Sequence, residues 1–88
     1  MQKQSRILFA IRELSPALID LIKQVYRLGA TVIVRQCTEA GAVLAAVADA
    51  QPTHVFLDLG ALKDMKFPIA DIKWYVFTDA GTYYQYRP

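Results

Sequence analysis

The run Arg6-Ile7-Leu8-Phe9-Ala10-Ile11 is almost uninterruptedly apolar. Such runs are typical of strands buried on both faces, as in parallel sheets. Two similar runs follow. Thr31-Val32-Ile33-Val34 is β-branched and continues to Cys37, and the segment from His54 to Gly60 is apolar with one acid near its end. We expect three buried strands here.

The segments between these strands have the pattern of helices. Ser15 followed by Pro16 is a typical helix start, because a serine oxygen caps free amides and proline at the first position loses no hydrogen bond. Gly29 is the expected stop. The second helix is alanine-rich, should be capped by Thr38 and should end before Pro52. The large apolar residues expected to face the sheet are Leu18, Leu21, Ile22, Val25 and Leu28 in the first helix, and Val43, Leu44 and Val47 in the second.

The alternation of strands and helices predicts the fold class. Short connections imply parallel pairing through right-handed crossovers, with the first strand between the second and third. Polar residues and a proline interrupt residues 61–71, so we expect no long helix there. Residues 74–78 have the pattern of a fourth strand. Residues 82–86 are equally compatible with a hairpin strand and with an irregular segment. We therefore expect one α/β domain over residues 1–88. It should have three α/β/α layers and a mostly parallel sheet of four or five strands, in the order 2-1-3-4 with a possible C-terminal antiparallel hairpin.

Composition narrows the function classes. The chain has 88 residues, of which 55% are hydrophobic and 20% charged, which favours a folded domain. Its formal net charge of +2 comes from scattered residues, so nucleic-acid binding has no support. Cys37 is the only cysteine, which excludes an internal disulfide and a thiolate metal cluster. The apolar stretch after Arg6 is too short for a signal peptide or a membrane span, so we expect an untargeted cytoplasmic protein without membrane contact.

Residues 51–60 resemble the segment of response-regulator receiver domains that leads into the phosphorylated aspartate. Asp58 matches the phosphoacceptor, and Thr78 matches the fourth-strand hydroxyl residue that contacts the phosphoryl group. The resemblance covers residues 6 to about 60 and 74 to 79. It implies a flavodoxin-like fold of the receiver type in a truncated and degenerate form.

The sequence departs from the receiver pattern at the metal site. The acidic pair that holds magnesium in the family falls here at Ile11 and Arg12, and only Glu13 remains nearby. The family's fifth-strand lysine has no counterpart. We therefore expect no metal and no cofactor, and we interpret Arg12 as an ion-pair partner of Asp58 that replaces the missing cation. The candidate crevice is Asp58, Arg12, Glu13 and Thr78, with a structural role for Asp58 favoured over ligand binding or phosphorylation.

Two further side chains have simple structural explanations. His54 is a lone histidine at the start of a strand, and a surface or hydrogen-bonded role is favoured over a ligand or base. Cys37 has no base near it in sequence, which favours a buried, inert thiol over a nucleophile. With no nucleophile and base paired, we expect no enzyme activity.

Aromatic residues are concentrated in the C-terminal segment. Packing in the core and formation of an interface explain this concentration equally well. Two helices are too few to cover both faces of such a sheet, so strands three and four should lose their cover. We therefore expect a homodimer or higher oligomer, or a complex with a protein partner. The expected interface residues are Met65, Phe67, Trp74, Tyr75, Tyr83, Tyr84 and Tyr86.

Two functions follow from these observations. The first is a non-catalytic receiver-like interaction or regulatory module that self-associates or binds a protein through its C-terminal aromatic region. The second is a phosphorylatable switch, or one that responds to a small anion, using Asp58 at the carboxyl end of strand three.

Overall fold

Five strands and two helices make up the part of the chain that the computed structural model describes, which is residues 5–58, 72–78 and 82–86. In chain order they are β1 (Arg6–Ile11), α1 (Pro16–Arg27), β2 (Thr31–Gln36), α2 (Ala40–Ala50), β3 (His54–Asp58), β4 (Lys73–Phe77) and β5 (Tyr83–Gln85). Predictions for residues 59–71 lie outside this description, including the broken segment, the end of strand three, Met65 and Phe67.

The sheet has the predicted order. Its strands run β2-β1-β3-β4-β5, with β1 parallel to β2 and β3, β3 parallel to β4, and β5 antiparallel to β4. The mostly parallel α/β fold is confirmed. Of the two alternatives for residues 82–86, the structure shows the hairpin strand, at Tyr83–Gln85. The carboxyl ends of β1, β2 and β3 therefore share one edge of the sheet, where open α/β folds usually bind ligands.

Helix α1 begins as its sequence predicts. The Ser15 Oγ accepts a hydrogen bond from the Leu18 amide at 3.1 Å, and Pro16 occupies the first turn. The buried residues are Leu18, Leu21 and Val25. Leu28 was expected in the core, but that prediction is wrong: the helix ends at Arg27, and the Leu28 side chain projects into solvent from the cap.

Helix α2 starts differently from its prediction. The N-cap is Glu39, whose side chain makes no capping hydrogen bond, and Thr38 is exposed, so the prediction of a Thr38 cap is wrong. Leu44 is also more exposed than expected. Its place toward the sheet is taken by Ala46 and Ala50, since small side chains let a helix approach closely. The helix ends at Gln51 in the left-handed region (φ 48°), before Pro52 as predicted.

Two apolar clusters lie on opposite faces of the sheet and create the three layers. Side chains of β1 alternate between them, with Phe9 on the α1 side and Leu8 on the α2 side. The α1-side cluster is Phe9, Ile11, Leu18, Leu21, Val25, Phe56 and Phe77. The α2-side cluster is Leu8, Ala10, Cys37, Val43, Ala46, Val47, Ala50, Val55, Leu57 and Trp74.

Two burial predictions are corrected by the structure. Strand β2 is not a buried strand, because it forms an edge of the sheet and its residues are half-buried or exposed. Strands β3 and β4 do not lose their cover, because Val55, Phe56, Leu57, Trp74, Val76 and Phe77 are all buried within the single chain. Uncovered central strands therefore give no reason for association.

Candidate functional site

The carboxyl edge of the sheet brings Arg12 and Asp58 together. Arg12 follows β1 and Asp58 ends β3, the strand beside it. The Arg12 backbone amide donates to Asp58 Oδ2 at 2.7 Å, and the guanidinium Nε lies 3.3 Å from Oδ1. The predicted ion pair is present, and it has a backbone contact that the sequence does not reveal.

The Asp58 carboxylate is mostly shielded from solvent. Its side chain is 18% exposed, against 53% for Arg12. The Oδ1 atom is buried and forms no hydrogen bond to the described residues, so it is held by the charge of Arg12 alone. A charge-assisted bond at Oδ2 and an ion pair at Oδ1 together favour a fixed carboxylate.

Gln36 is a third member of this edge that sequence reasoning missed. Its side-chain Nε2 donates to the Arg12 carbonyl at 3.3 Å from the end of β2. The available signal was its position, since Gln36 is the last residue of the strand next to β1. Arg12 is thus held from both neighbouring strands.

Glu13 and Thr78 do not join the Arg12–Asp58 contact. The Thr78 hydroxyl lies 2.7 Å from the Thr82 hydroxyl, and the Thr78 amide donates to the Thr82 carbonyl at 2.8 Å. Thr78 therefore closes the β4–β5 pair. Glu13 is exposed, and no ion pair or hydrogen bond joins it to the described residues. The structure brings together two of the four predicted crevice residues.

Cys37 lies under this edge as a buried thiol, as predicted. Burial raises the pKa of the Cys37 thiol, and the Asp58 carboxylate adds to that rise, whereas Arg35 opposes it. Since the thiolate is the nucleophile, a raised pKa and burial both suppress reactivity.

The amino ends of β1 and β3, opposite the carboxyl edge, contain a network of hydrogen bonds around Arg6 and Thr53. The Arg6 guanidinium donates to the Ala50 carbonyl at 3.0 and 2.9 Å, which satisfies the C-terminal end of α2. The Thr53 hydroxyl accepts from the Arg6 amide at 3.0 Å and lies 2.8 Å from His54 Nδ1. His54 is therefore a hydrogen-bonded histidine, and partial burial, with Lys73 nearby, lowers its pKa.

An aromatic ladder crosses the α1 face of the sheet through Phe9, Phe56 and Tyr75. Ring centroids are 4.9 Å apart for Phe9 and Phe56 and 4.8 Å for Phe56 and Tyr75, with nearly parallel planes. The strand register causes the stacking, because these residues are direct cross-strand neighbours. Tyr83 packs edge-on against Phe56 at 5.3 Å.

The predicted interface residues divide by exposure. Tyr83 and Tyr84 on β5 are 51% and 49% exposed, whereas Trp74 belongs to the core. Tyr75 and Tyr86 are half-buried. Tyr84 is the one that combines exposure with no ring contact to another described residue.

In residues 5–58, 72–78 and 82–86, no cluster of three histidine, cysteine or acidic side chains is placed to hold a metal ion. None of the described helices has both the length and the apolar character needed to cross a bilayer.

Comparison with known proteins adds no relative. No protein-family model, curated protein or solved structure matches this chain. The receiver resemblance stays a prediction.

Proposed function

We propose that this protein is a non-catalytic, receiver-like regulatory module that binds another protein through its C-terminal aromatic region. The observation that carries the proposal is the exposure of Tyr83 and Tyr84, which are consecutive on an edge strand and therefore project from its two faces. Tyrosine combines a large apolar area with a polar hydroxyl and is enriched at binding hot spots. The single buried Cys37 fits a cytoplasmic setting.

The carboxyl edge supports a non-catalytic role. The receiver resemblance implies a carboxylate that is open to magnesium and to a phosphoryl donor. Asp58 is shielded instead, with Oδ2 hydrogen-bonded to the Arg12 amide and Oδ1 in an ion pair with the Arg12 guanidinium. Phosphorylation of Asp58 requires that these contacts break. The crevice therefore acts as a brace between β1 and β3 in this proposal.

Photo-crosslinking from position 84 tests the partner surface. A photoreactive phenylalanine analogue at Tyr84 should give an adduct with one distinct protein in the native cell extract. Leu14 is the matched control, because it is also exposed (59%) but lies before α1. Excess Tyr84→Ser protein should fail to compete for the adduct, whereas unlabelled wild type should compete. Equal adducts from positions 84 and 14 would contradict the proposal.

A second function is a switch that responds to phosphorylation or a small anion at Asp58. It is favoured by the Arg12 side chain, which is half exposed and carries a charge that could bind an anion. Addition of magnesium with beryllofluoride, a phosphoryl mimic, tests it by amide NMR. Shifts centred on Arg12, Asp58 and Thr78 support the switch. Unchanged amides there leave the interaction module as the better account.

A further inference from the structure

The outer edge of β2 presents, at alternate residues, backbone groups that bond to no other described strand. The Thr31 amide donates to the Ser5 carbonyl and the Cys37 amide to the Ile11 carbonyl, so the odd-numbered residues of β2 point toward β1. Alternation along a strand then turns the amides and carbonyls of Val32, Val34 and Gln36 outward. No described strand pairs with this edge.

This edge has few of the features that protect edge strands. Proteins blunt their edges with short strands, proline, lysine or bulges. Strand β2 is six residues long, contains no proline or lysine and carries one charge, Arg35. The other edge strand, β5, has three residues. Of the two edges, β2 is the better template for a further strand.

A strip of exposed apolar side chains runs beside the β2 edge. Val34 is 41% exposed and shares the α1 face with Val32. On α1, Ile19, Ile22 and Tyr26 recur at spacings of three and four, and so lie along one side of the helix. Helix α1 packs against β2. In the right-handed crossover that is the rule for such connections, the side of α1 that follows its buried residues in the helical rotation faces the β2 edge. Ile19 is 39% exposed and Tyr26 70%.

We propose that β2 pairs with β2 of a second copy of this chain, antiparallel about a two-fold axis at Val34. In that register Val34 lies opposite Val34 of the second copy. Val32 of each copy lies opposite Gln36 of the other. All outward-facing residues are then used, giving about six backbone hydrogen bonds, two for each of three residue pairs. The two sheets become continuous, and the two α1 helices bring their apolar strips together on one face.

The charges on β2 are compatible with this pairing. Arg35 stands opposite Ile33 of the second copy, and each Arg35 is neutralised within its own chain by Asp49, at 3.2 Å. A second copy fits because a two-fold axis places the same strip on both sides, as in most soluble homodimers. No residue of β5 takes part, so self-association at β2 leaves Tyr84 free for the proposed partner.

The size of this surface predicts the strength of the dimer. A six-residue strand is about 20 Å long, and the shortest dimension of the molecule is 22 Å. The edge therefore offers about 440 Å² per copy in projection, or about 880 Å² in total, which is below the roughly 1,000 Å² of a stable interface and in the range of weak, transient ones. The dimer should form at high micromolar concentration and dissociate on dilution.

Sedimentation equilibrium of the full chain tests the proposal. The apparent mass should rise toward twice that of one chain as concentration increases, and Tyr84→Ser should behave as wild type. Val34→Pro removes an outward amide that β1 does not use, so it should stay folded by circular dichroism and remain monomeric. Val34→Lys, with two cations at the axis, should do the same if the proline variant unfolds.

Cysteine cross-linking tests the register. Val34→Cys places two thiols in a hydrogen-bonded pair with Cα atoms about 5.5 Å apart, within disulfide range. Gln36→Cys is the matched control, since its two copies are offset by four residues, roughly 13 Å along the strands. The first should form a covalent dimer on mild oxidation and the second should not. A wild-type monomer at all concentrations, equal cross-linking from both positions, or loss of the dimer in Tyr84→Ser would overturn the proposal.

Discussion

Asp58, at the end of β3, is joined to Arg12, which follows β1, by a hydrogen bond and an ion pair. Replacing it with alanine removes a charge-assisted hydrogen bond and leaves the Arg12 amide unpaired, so unfolding free energy should fall by about 1–3 kcal/mol. Asp49→Ala is the matched control: it breaks an ion pair whose carboxylate is 72% exposed, and should cost under about 1 kcal/mol. Urea denaturation measures both. If the two variants are equally stable, Asp58 is not a brace.

His54 makes stability depend on pH in a direction set by its lowered pKa. Because the fold disfavours the charged imidazole, the unfolded chain binds the proton more readily. Its contribution is therefore complete above the ordinary pKa of 6.5 and is lost as pH falls through the lowered folded value. Between about pH 7.5 and 5.5, the wild-type urea midpoint should fall more than that of His54→Gln. A parallel decline in the two proteins would show that His54 does not contribute.

At the scale of the elements, similar substitutions at the starts of α1 and α2 should have different effects on the free energy of unfolding. Ser15→Ala removes the side-chain cap of α1 and should lower unfolding free energy by about 1 kcal/mol. Thr38→Ala should leave stability nearly unchanged, because Thr38 is not the cap of α2. Thermal melts followed by circular dichroism compare the two. A loss at Thr38 equal to that at Ser15 contradicts the observed boundary of α2.

The elements also show what local sequence determines. Ser15-Pro16 carries its own cap, so the start of α1 can be predicted without tertiary information. Helix α2 depends on its neighbours instead. Its end is satisfied by the Arg6 guanidinium, 44 residues away along the chain, and no local pattern reveals that contact. Periodicity identified the helix, whereas long-range contacts set its ends and its exposed side.

At the scale of the whole molecule, the order of strands followed from chain connectivity, but burial did not. The run at β2 is as apolar as a central strand, and only its place at the edge leaves it half-exposed. The Arg12–Asp58 contact was predictable because both residues end adjacent parallel strands. The hydrogen bond between the Thr78 and Thr82 hydroxyls could not be predicted, because it depends on the β4–β5 hairpin. Position in the sheet thus decides which predicted residues meet.

Strand β5 closes the molecule at one edge, and its two tyrosines should separate stability from binding. The two side chains are about equally exposed, so truncating either one loses a similar apolar burial. Tyr83 also packs edge-on against Phe56 and Tyr75, at 5.3 and 6.2 Å, so Tyr83→Ala should lower the unfolding free energy by about 0.5–1.5 kcal/mol more than Tyr84→Ala. Tyr84→Ala removes a half-exposed ring that stacks on no other described residue, so it should lose the burial alone. Urea denaturation of the two variants measures this difference. Equal losses would mean that Tyr84 is committed to the fold, and its exposure would no longer support a partner surface on β5.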